Sequence, residues 1–351
     1  MSLTDISTRD GAGALALPGS VVDTPANRPG VGVAPLPGRA GLTARAKAAL
    51  RRGVWHAMTL GQRLGVSAVP NHFYSPIPDV RDLASRTDWR APMSMIGVAG
   101  WSLDSQLDFV RDCCPPPVVA RLRTHDVHAE ACAANGVDGY GRVEADFLYA
   151  HVVRHKPRSV VQIGAGVSTA VILRAAHDAG YRPHVVCIDP FPTRYLCDMA
   201  AEGRVELVRE PAQRVPVEAF QRLGAGDLLF VDSTHAVKVG SEVNRIVLEV
   251  LPRLGEGVWA HFHDIYFPYD YQRRVLDGEI YFSAESTLLH AFLLGNRRVE
   301  LRAALSYLHY AARAELGAVM PNYRPAEDSD GLEKRPGHFP SSAWLRIVAD
   351  R

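Results

Sequence analysis

The chain predicts an α/β fold built on a mostly parallel sheet, and three observations carry that expectation. Apolar runs of strand length, SVVQI, HVVCI, DLLFVD and GVWAHFHD, recur between segments of helical pattern. They lack polar alternation, as strands do when helices cover both sheet faces. Most of them stop at residues with chemical potential, namely Gly164, Asp189, Asp232 and the pair His263 and Asp264. In open parallel sheets, ligands gather at the carboxyl ends of strands.

In chain order, residues 1–39 are rich in Gly, Pro and Ala and lack periodicity, so they read as a flexible leader. Residues 40–140 form an N-terminal extension, with a substrate lid as one role. Gly41 to Gly65 has a helical pattern that is basic on one side, expected to be partly solvated and to pack through Val54, Met58 and Leu64, with an acidic partner or a membrane surface as the less favoured alternative. From Pro70 to Tyr140 the Pro-flanked text, including NHFYSPIPD and CCPPP, reads as irregular rather than as long helices.

Residues 141–351 contain the sheet. The helix EADFLYAHVVRH precedes a strand at Ser159–Ile163 and a helix from Ser168 to Ala179. A strand at His184–Ile188, a helix near Thr193–Glu202, the short strand VELVRE and a polar helix Pro216–Leu223 follow. Then come strand DLLFVD, helix Gly240–Leu254 and strand GVWAHFHD. A helix Ser286–Leu294, a strand Arg298–Ala303 and a closing strand in SSAWLRIVAD complete the set.

Composition narrows the function classes. With 39 Lys+Arg against 38 Asp+Glu, the net charge of +1 gives no general field for nucleic acid. Five scattered cysteines without C-x-x-C point to a reducing cytoplasm rather than a disulfide scaffold. No signal peptide and no membrane partner are expected, self-association is left open, and the anticipated partner is a small-molecule acceptor.

The turn Gly164-Ala-Gly166-Val-Ser168-Thr169 lets the backbone approach a ligand closely, and Asp189 can bond ribose hydroxyls. Together they indicate an adenosine-containing cofactor. Thr169 stands where a dinucleotide motif prefers Gly or Ala, and no second mononucleotide half follows, which disfavours a nicotinamide oxidoreductase. Further on, Asp232 and Asp264 close neighbouring strands and could share a divalent cation, magnesium or manganese. Imidazoles added to that set move the preference toward transition metals. His235 could take a proton from a metal-bound hydroxyl. Each of these residues alone could equally cap a helix or fill a polar gap; their combination favours function.

These motifs, with NHFYSPIPD, the KPR approach to the first strand and HDIYFPYDY, resemble a bacterial group of class I S-adenosylmethionine-dependent methyltransferases. That group is related to the metal-dependent sugar O-methyltransferases of macrolide biosynthesis. The resemblance implies a Rossmann-like sheet with an antiparallel last strand. It implies S-adenosylmethionine held by Gln162, Gly164, Gly166, Ser168, Asp189 and Asp232, with Gln162 at a usually acidic position. It further implies Asp232 and Asp264 as metal ligands and His235 as base. Where relatives carry an acid beside the last ligand, this chain has His263, which completes the expected metal set. Glu285 resembles an acidic or amide position near the substrate, though a helix N-terminal carboxylate is the commoner reason for such a residue. The expected reaction is O-methylation of a sugar or secondary-metabolite hydroxyl. N- or C-methylation and a non-catalytic scaffold are the alternatives.

Overall fold

A computed structural model describes residues 44–67, 69, 71, 74–270, 275–276, 282–325 and 339–350. The expected leader 1–39 lies outside the described residues. Two compact units are distinguished, Asp10–Arg81 and a second containing Asp82–Arg351.

In the smaller unit, α1 spans Ala44–Arg63 as its pattern predicts. Of the three residues expected to pack, Met58 is half-buried while Val54 and Leu64 are exposed. The short α2, Val80–Ser85, follows.

The region read as irregular folds instead into helices α3 (Leu103–Cys113), α4 (Pro116–Thr124) and α5 (Val127–Asn135). Proline misled the reading because it is also the residue best suited to a helix's first turn, where its missing N–H costs nothing. Pro115 is the N-cap of α4, and prolines occupy its opening positions. In α3, Gln106, Leu107, Phe109, Val110 and Cys113 are buried at helical spacing. Asp126 caps α5 by accepting from the Ala129 N–H at 2.9 Å.

Helix α6, Arg142–His155, leads into β1, Ser159–Ile163. Then alternate α7 (Val167–Asp178), β2 (His184–Ile188), α8 (Arg194–Ala201), β3 (Glu206–Val208) and α9 (Val217–Phe220). Strand β4 is Leu228–Val231. Helix α10, Glu242–Arg245, continues through a π-helical turn, Ile246–Val250, and a 3-10 turn, Leu251–Arg253. Strand β5, Trp259–His263, is followed by α11 (Glu285–Leu293) and β6 (Val299–Ala304). Two helices not foreseen, α12 (Leu305–Ala311) and α13 (Arg313–Val319), precede β7, Ser342–Ile347.

The sheet has seven strands in the order β3-β2-β1-β4-β5-β7-β6. Strands β1 to β5 pair in parallel, and β7 inserts antiparallel between β5 and β6. All four residues of β4 are buried, as expected at the centre of a doubly covered sheet. One core layer joins α3 to α8 with α12 and α13 on one face; the other joins α9, α10 and α11 on the opposite face. The order changes direction between β1 and β4, so their carboxyl ends border a crevice. All five cysteines are free thiols. Among the described residues, no helix is long and apolar enough to cross a membrane.

Candidate active site

At the end of β1, Gly164 has φ +76°, and a Cβ there would lie 1.7 Å from the Asp232 carbonyl oxygen. Only glycine permits that approach, which brings the β1 turn against the β4 loop. The Gly166 N–H donates to Thr169 Oγ1 at 3.2 Å. Thr169 therefore caps the turn, which explains a hydroxyl at a position where dinucleotide motifs prefer a smaller residue. The Asn135 carboxamide faces Gly166, 3.4 Å from where a Cβ would stand, and accepts from Thr193 Oγ1 at 2.9 Å.

Gln162 and Ser168 are buried and bonded to each other, Nε2 donating to Oγ at 3.2 Å. Gln162 Oε1 also accepts from Cys187 Sγ at 3.8 Å. Asp189 bridges two loops: one carboxylate oxygen accepts from the Ala165 N–H at 3.3 Å and the other from the Phe191 N–H at 2.8 Å. Gly164, Ala165 and Asp189 keep partial exposure beside them.

The β4 and β5 ends bring the remaining predicted residues together. His235 Nε2 lies 3.4 Å from Asp232 Oδ1 and 3.6 Å from Asp264 Oδ2. His263 Nδ1 lies 3.2 Å from Asp232 Oδ1 and 3.6 Å from Asp264 Oδ1. Asp232, His235 and His263 each offer a ligand atom within 4.8 Å of the others. His235 and Asp264 both adopt left-handed backbone, φ 57° and 52°. Such conformations persist in non-glycine residues where surrounding contacts impose them. Here Glu242, in the first turn of α10, accepts from the Thr234 N–H at 3.1 Å and its hydroxyl at 2.6 Å. Ser283 Oγ donates to the His235 carbonyl at 3.1 Å, and Ser341 Oγ donates to Asp264 Oδ1 at 2.9 Å.

Two further acids come from distant segments. Glu285, fully buried, accepts from His235 Nδ1 at 2.7 Å. It opens α11, as its sequence position suggests, but Oε2 is taken by the histidine, while Oε1 is buried without a hydrogen bond. Glu144, in the first turn of α6, lies 3.8 Å from His263 Nε2 and accepts from the Ser341 N–H at 2.6 Å. Sequence reasoning missed Glu144 and Ser341. A first-turn acid is ordinary in a helix, and nothing local marks either residue for the site. Tyr140 closes this side, its ring 5.0 Å from that of His263 and its hydroxyl 3.1 Å from His261 Nε2.

The electrostatics follow from this packing. Burial alone would raise the Asp232 carboxyl, but the adjacent His263 and His235 hold it well below the usual range. Burial would likewise discharge the imidazoles. Hydrogen bonds to Asp232 and Glu285 instead hold His235 well above its ordinary value. The charges of Asp232 and Asp264 raise His263 to about 10. Burial raises both Glu144 and Glu285.

Four carboxyl groups thus surround two imidazoles, and protons on the histidines hold the acids together. The donor set fits a divalent cation, because such an ion could replace those protons among the same oxygens and nitrogens. His263 Nδ1 is buried without a hydrogen bond of good geometry, as a ligand nitrogen awaiting such a partner would be.

Residues 161–265, from β1 through the end of β5, match a family model described as a methyltransferase domain. An uncharacterized protein of Archaeoglobus fulgidus is 23% identical over 177 residues, covering 47% of this chain and 77% of that protein. Among solved structures, an S-adenosylhomocysteine-bound methyltransferase from Podospora anserina is similar at 13% identity and TM-score 0.35, covering 81% of this chain and 100% of that one. An O-methyltransferase family protein from Burkholderia thailandensis is similar at 16% identity and TM-score 0.31, covering 59% and 56%. The residues similar to a methyltransferase domain, 161–265, are thus the stretch that runs through the parallel strands β1 to β5 of a sheet ordered β3-β2-β1-β4-β5-β7-β6 and carries the glycine turn and the acid–imidazole cluster.

Proposed function

We propose that the chain methylates an oxygen nucleophile, a sugar or secondary-metabolite hydroxyl, with the help of a divalent metal. The observation that carries this reading is the convergence of the β4 and β5 ends, where both His235 and His263 lie 3.2–3.6 Å from Asp232 and Asp264 and the Asp232 backbone touches the glycine turn.

The residues divide the work. The turn Gly164–Gly166 and Asp189 hold the cofactor, and Asp232, Asp264 and His263 hold the ion. When bound, a divalent ion lowers the pKa of a coordinated hydroxyl and fixes its direction. The mixed oxygen and nitrogen donors favour manganese over magnesium.

His235 would take the acceptor's proton at Nε2 once that nitrogen has given up the proton it holds toward Asp232 and Asp264, since Nδ1 is committed to Glu285. Glu285 balances the imidazolium that results. The acceptor oxygen forms its bond to the methyl carbon as the carbon–sulfur bond breaks, leaving a neutral thioether. Tyr140 and the Glu144–Ser341 pair fix the His263 side of the cluster.

The test uses isotope-labelled S-adenosylmethionine and a panel of hydroxyl acceptors. Exhaustive chelation should lower transfer by about a hundredfold or more, and Mn²⁺ should restore it. Transfer that survives chelation removes the metal. Transfer to amine or carbon acceptors alone removes the O-methylation reading.

A further inference from the structure

The even charge balance of the whole chain conceals a segregated one. Residues 24–78 contain seven of the 39 Lys+Arg and none of the 38 Asp+Glu, so the other positions carry 32 against 38. The described part of this run belongs to the smaller compact unit, and α1 is its long helix.

Helix α1 is amphipathic in sequence. Leu50, Val54, Ala57 and Gly61 follow one another at spacings of four, three and four, a single stripe at 3.6 residues per turn. Leu60 and Leu64 flank that stripe, whereas Arg52, His56 and Arg63 share the opposite face. The apolar positions are open rather than packed: Leu50 is 62% exposed, Leu60 59% and Leu64 77%. Trp55, on the Arg51 flank, is exposed as well.

We infer that α1 docks this protein on an anionic lipid surface. A helix with an apolar stripe and a polar face whose formal charges are all positive lies in the plane of a membrane interface, its stripe among the acyl chains. Anionic headgroups attract the adjacent Lys and Arg, and the absence of any acid over 55 positions removes the repulsion they would otherwise meet. An acidic protein partner would match the charge alone. The open leucines along the stripe and the tryptophan on its cationic flank favour lipid. The helix is too polar to span a bilayer, so the contact is peripheral. Such an anchor would bring the methyltransferase domain to acceptors that partition into or form at membranes.

The experiment is co-sedimentation of the full chain with vesicles of phosphatidylcholine, with and without phosphatidylglycerol, at low and high salt. Binding is expected only to the anionic vesicles and should weaken with salt. Arg51→Glu with Arg52→Glu, and separately Leu50→Ser with Leu60→Ser, should each reduce it by about tenfold or more. S-adenosylhomocysteine affinity should stay unchanged in both variants and reports that the catalytic domain is folded.

Three outcomes overturn the inference. One is absence of binding to anionic vesicles at low salt. Another is a shift in oligomeric state when the leucines are replaced, which makes a second copy the occupant. The last is a fall in melting temperature with unchanged vesicle binding, which places the stripe against the chain's own body. None of these readouts depends on methyl transfer.

Discussion

Asp189 and Asp232 are the same residue type at the same place, the first position after a parallel strand, yet their surroundings make them different instruments. Both Asp189 oxygens accept backbone N–H groups, from Ala165 and Phe191. The carboxylate is thereby fixed in direction while each oxygen retains a lone pair, which suits a steady hydrogen bond to a neutral hydroxyl. Asp232 faces side chains instead. Its Oδ1 stands between the imidazoles of His235 and His263, with Asp264 on their other side. What a strand-end acid does is decided by whether backbone dipoles or mobile charges meet it. Dipoles hold a ligand in place. Charges that can gain or lose a proton, or yield to a metal, can take part in chemistry.

The sharpest way to break this comparison is to exchange the charge of each acid. Asp232→Asn should abolish methyl transfer and weaken Mn²⁺ binding by about a hundredfold or more, while S-adenosylhomocysteine still binds. Calorimetric titrations of both ligands on one preparation check this. Loss of S-adenosylhomocysteine binding with metal binding intact would reverse the assignment of the two ends.

Asp189→Ala is the mirror experiment. It should weaken S-adenosylhomocysteine by about tenfold, the loss of one or two hydrogen bonds to a charged acceptor, and leave Mn²⁺ affinity within about twofold.

A smaller effect is expected from Glu285→Gln. The amide preserves the size of the side chain but removes the charge that balances the imidazolium. The kcat should fall by about tenfold with little change in KM, and the Glu285→Ala variant should fall further. Equal losses in the two variants would reduce Glu285 to a packing role.

The mildest test is the pH dependence of the metal-free protein. His263 is held charged up to about 10, above its ordinary 6.5. Its stabilising contribution is therefore complete below the ordinary value and is lost as pH rises toward 10. Melting temperature should decline over that interval, and the decline should disappear in His263→Gln. Mn²⁺ affinity should rise across the same range, because the ion competes with the protons being lost.

How far the sequence carried depends on the range of the physics involved. Strands β1 and β2 could be bounded correctly because an apolar run ending in glycine or a charge is a local signal. The segment CCPPP shows the opposite case. Proline is compatible with a turn or with a helix's first residues, and only the burial of Val118 and Leu122 in α4 decides for the helix. In the candidate site, Asp232, His235, His263 and Asp264 were legible because parallel neighbours β4 and β5 must deliver their carboxyl ends together. Glu144 and Ser341 were not, since they approach from α6 and the start of β7, far apart along the chain.

By itself the sequence determined the succession of the strands, the glycine turn, and which strand ends carry acids and imidazoles. These follow from periodicity and backbone freedom, which act over a few residues. The tertiary structure alone decided that Glu285 would hold His235 and that Glu144 would lie behind His263. Burial and charge–charge energy depend on distances in space, and those are set by how the elements pack.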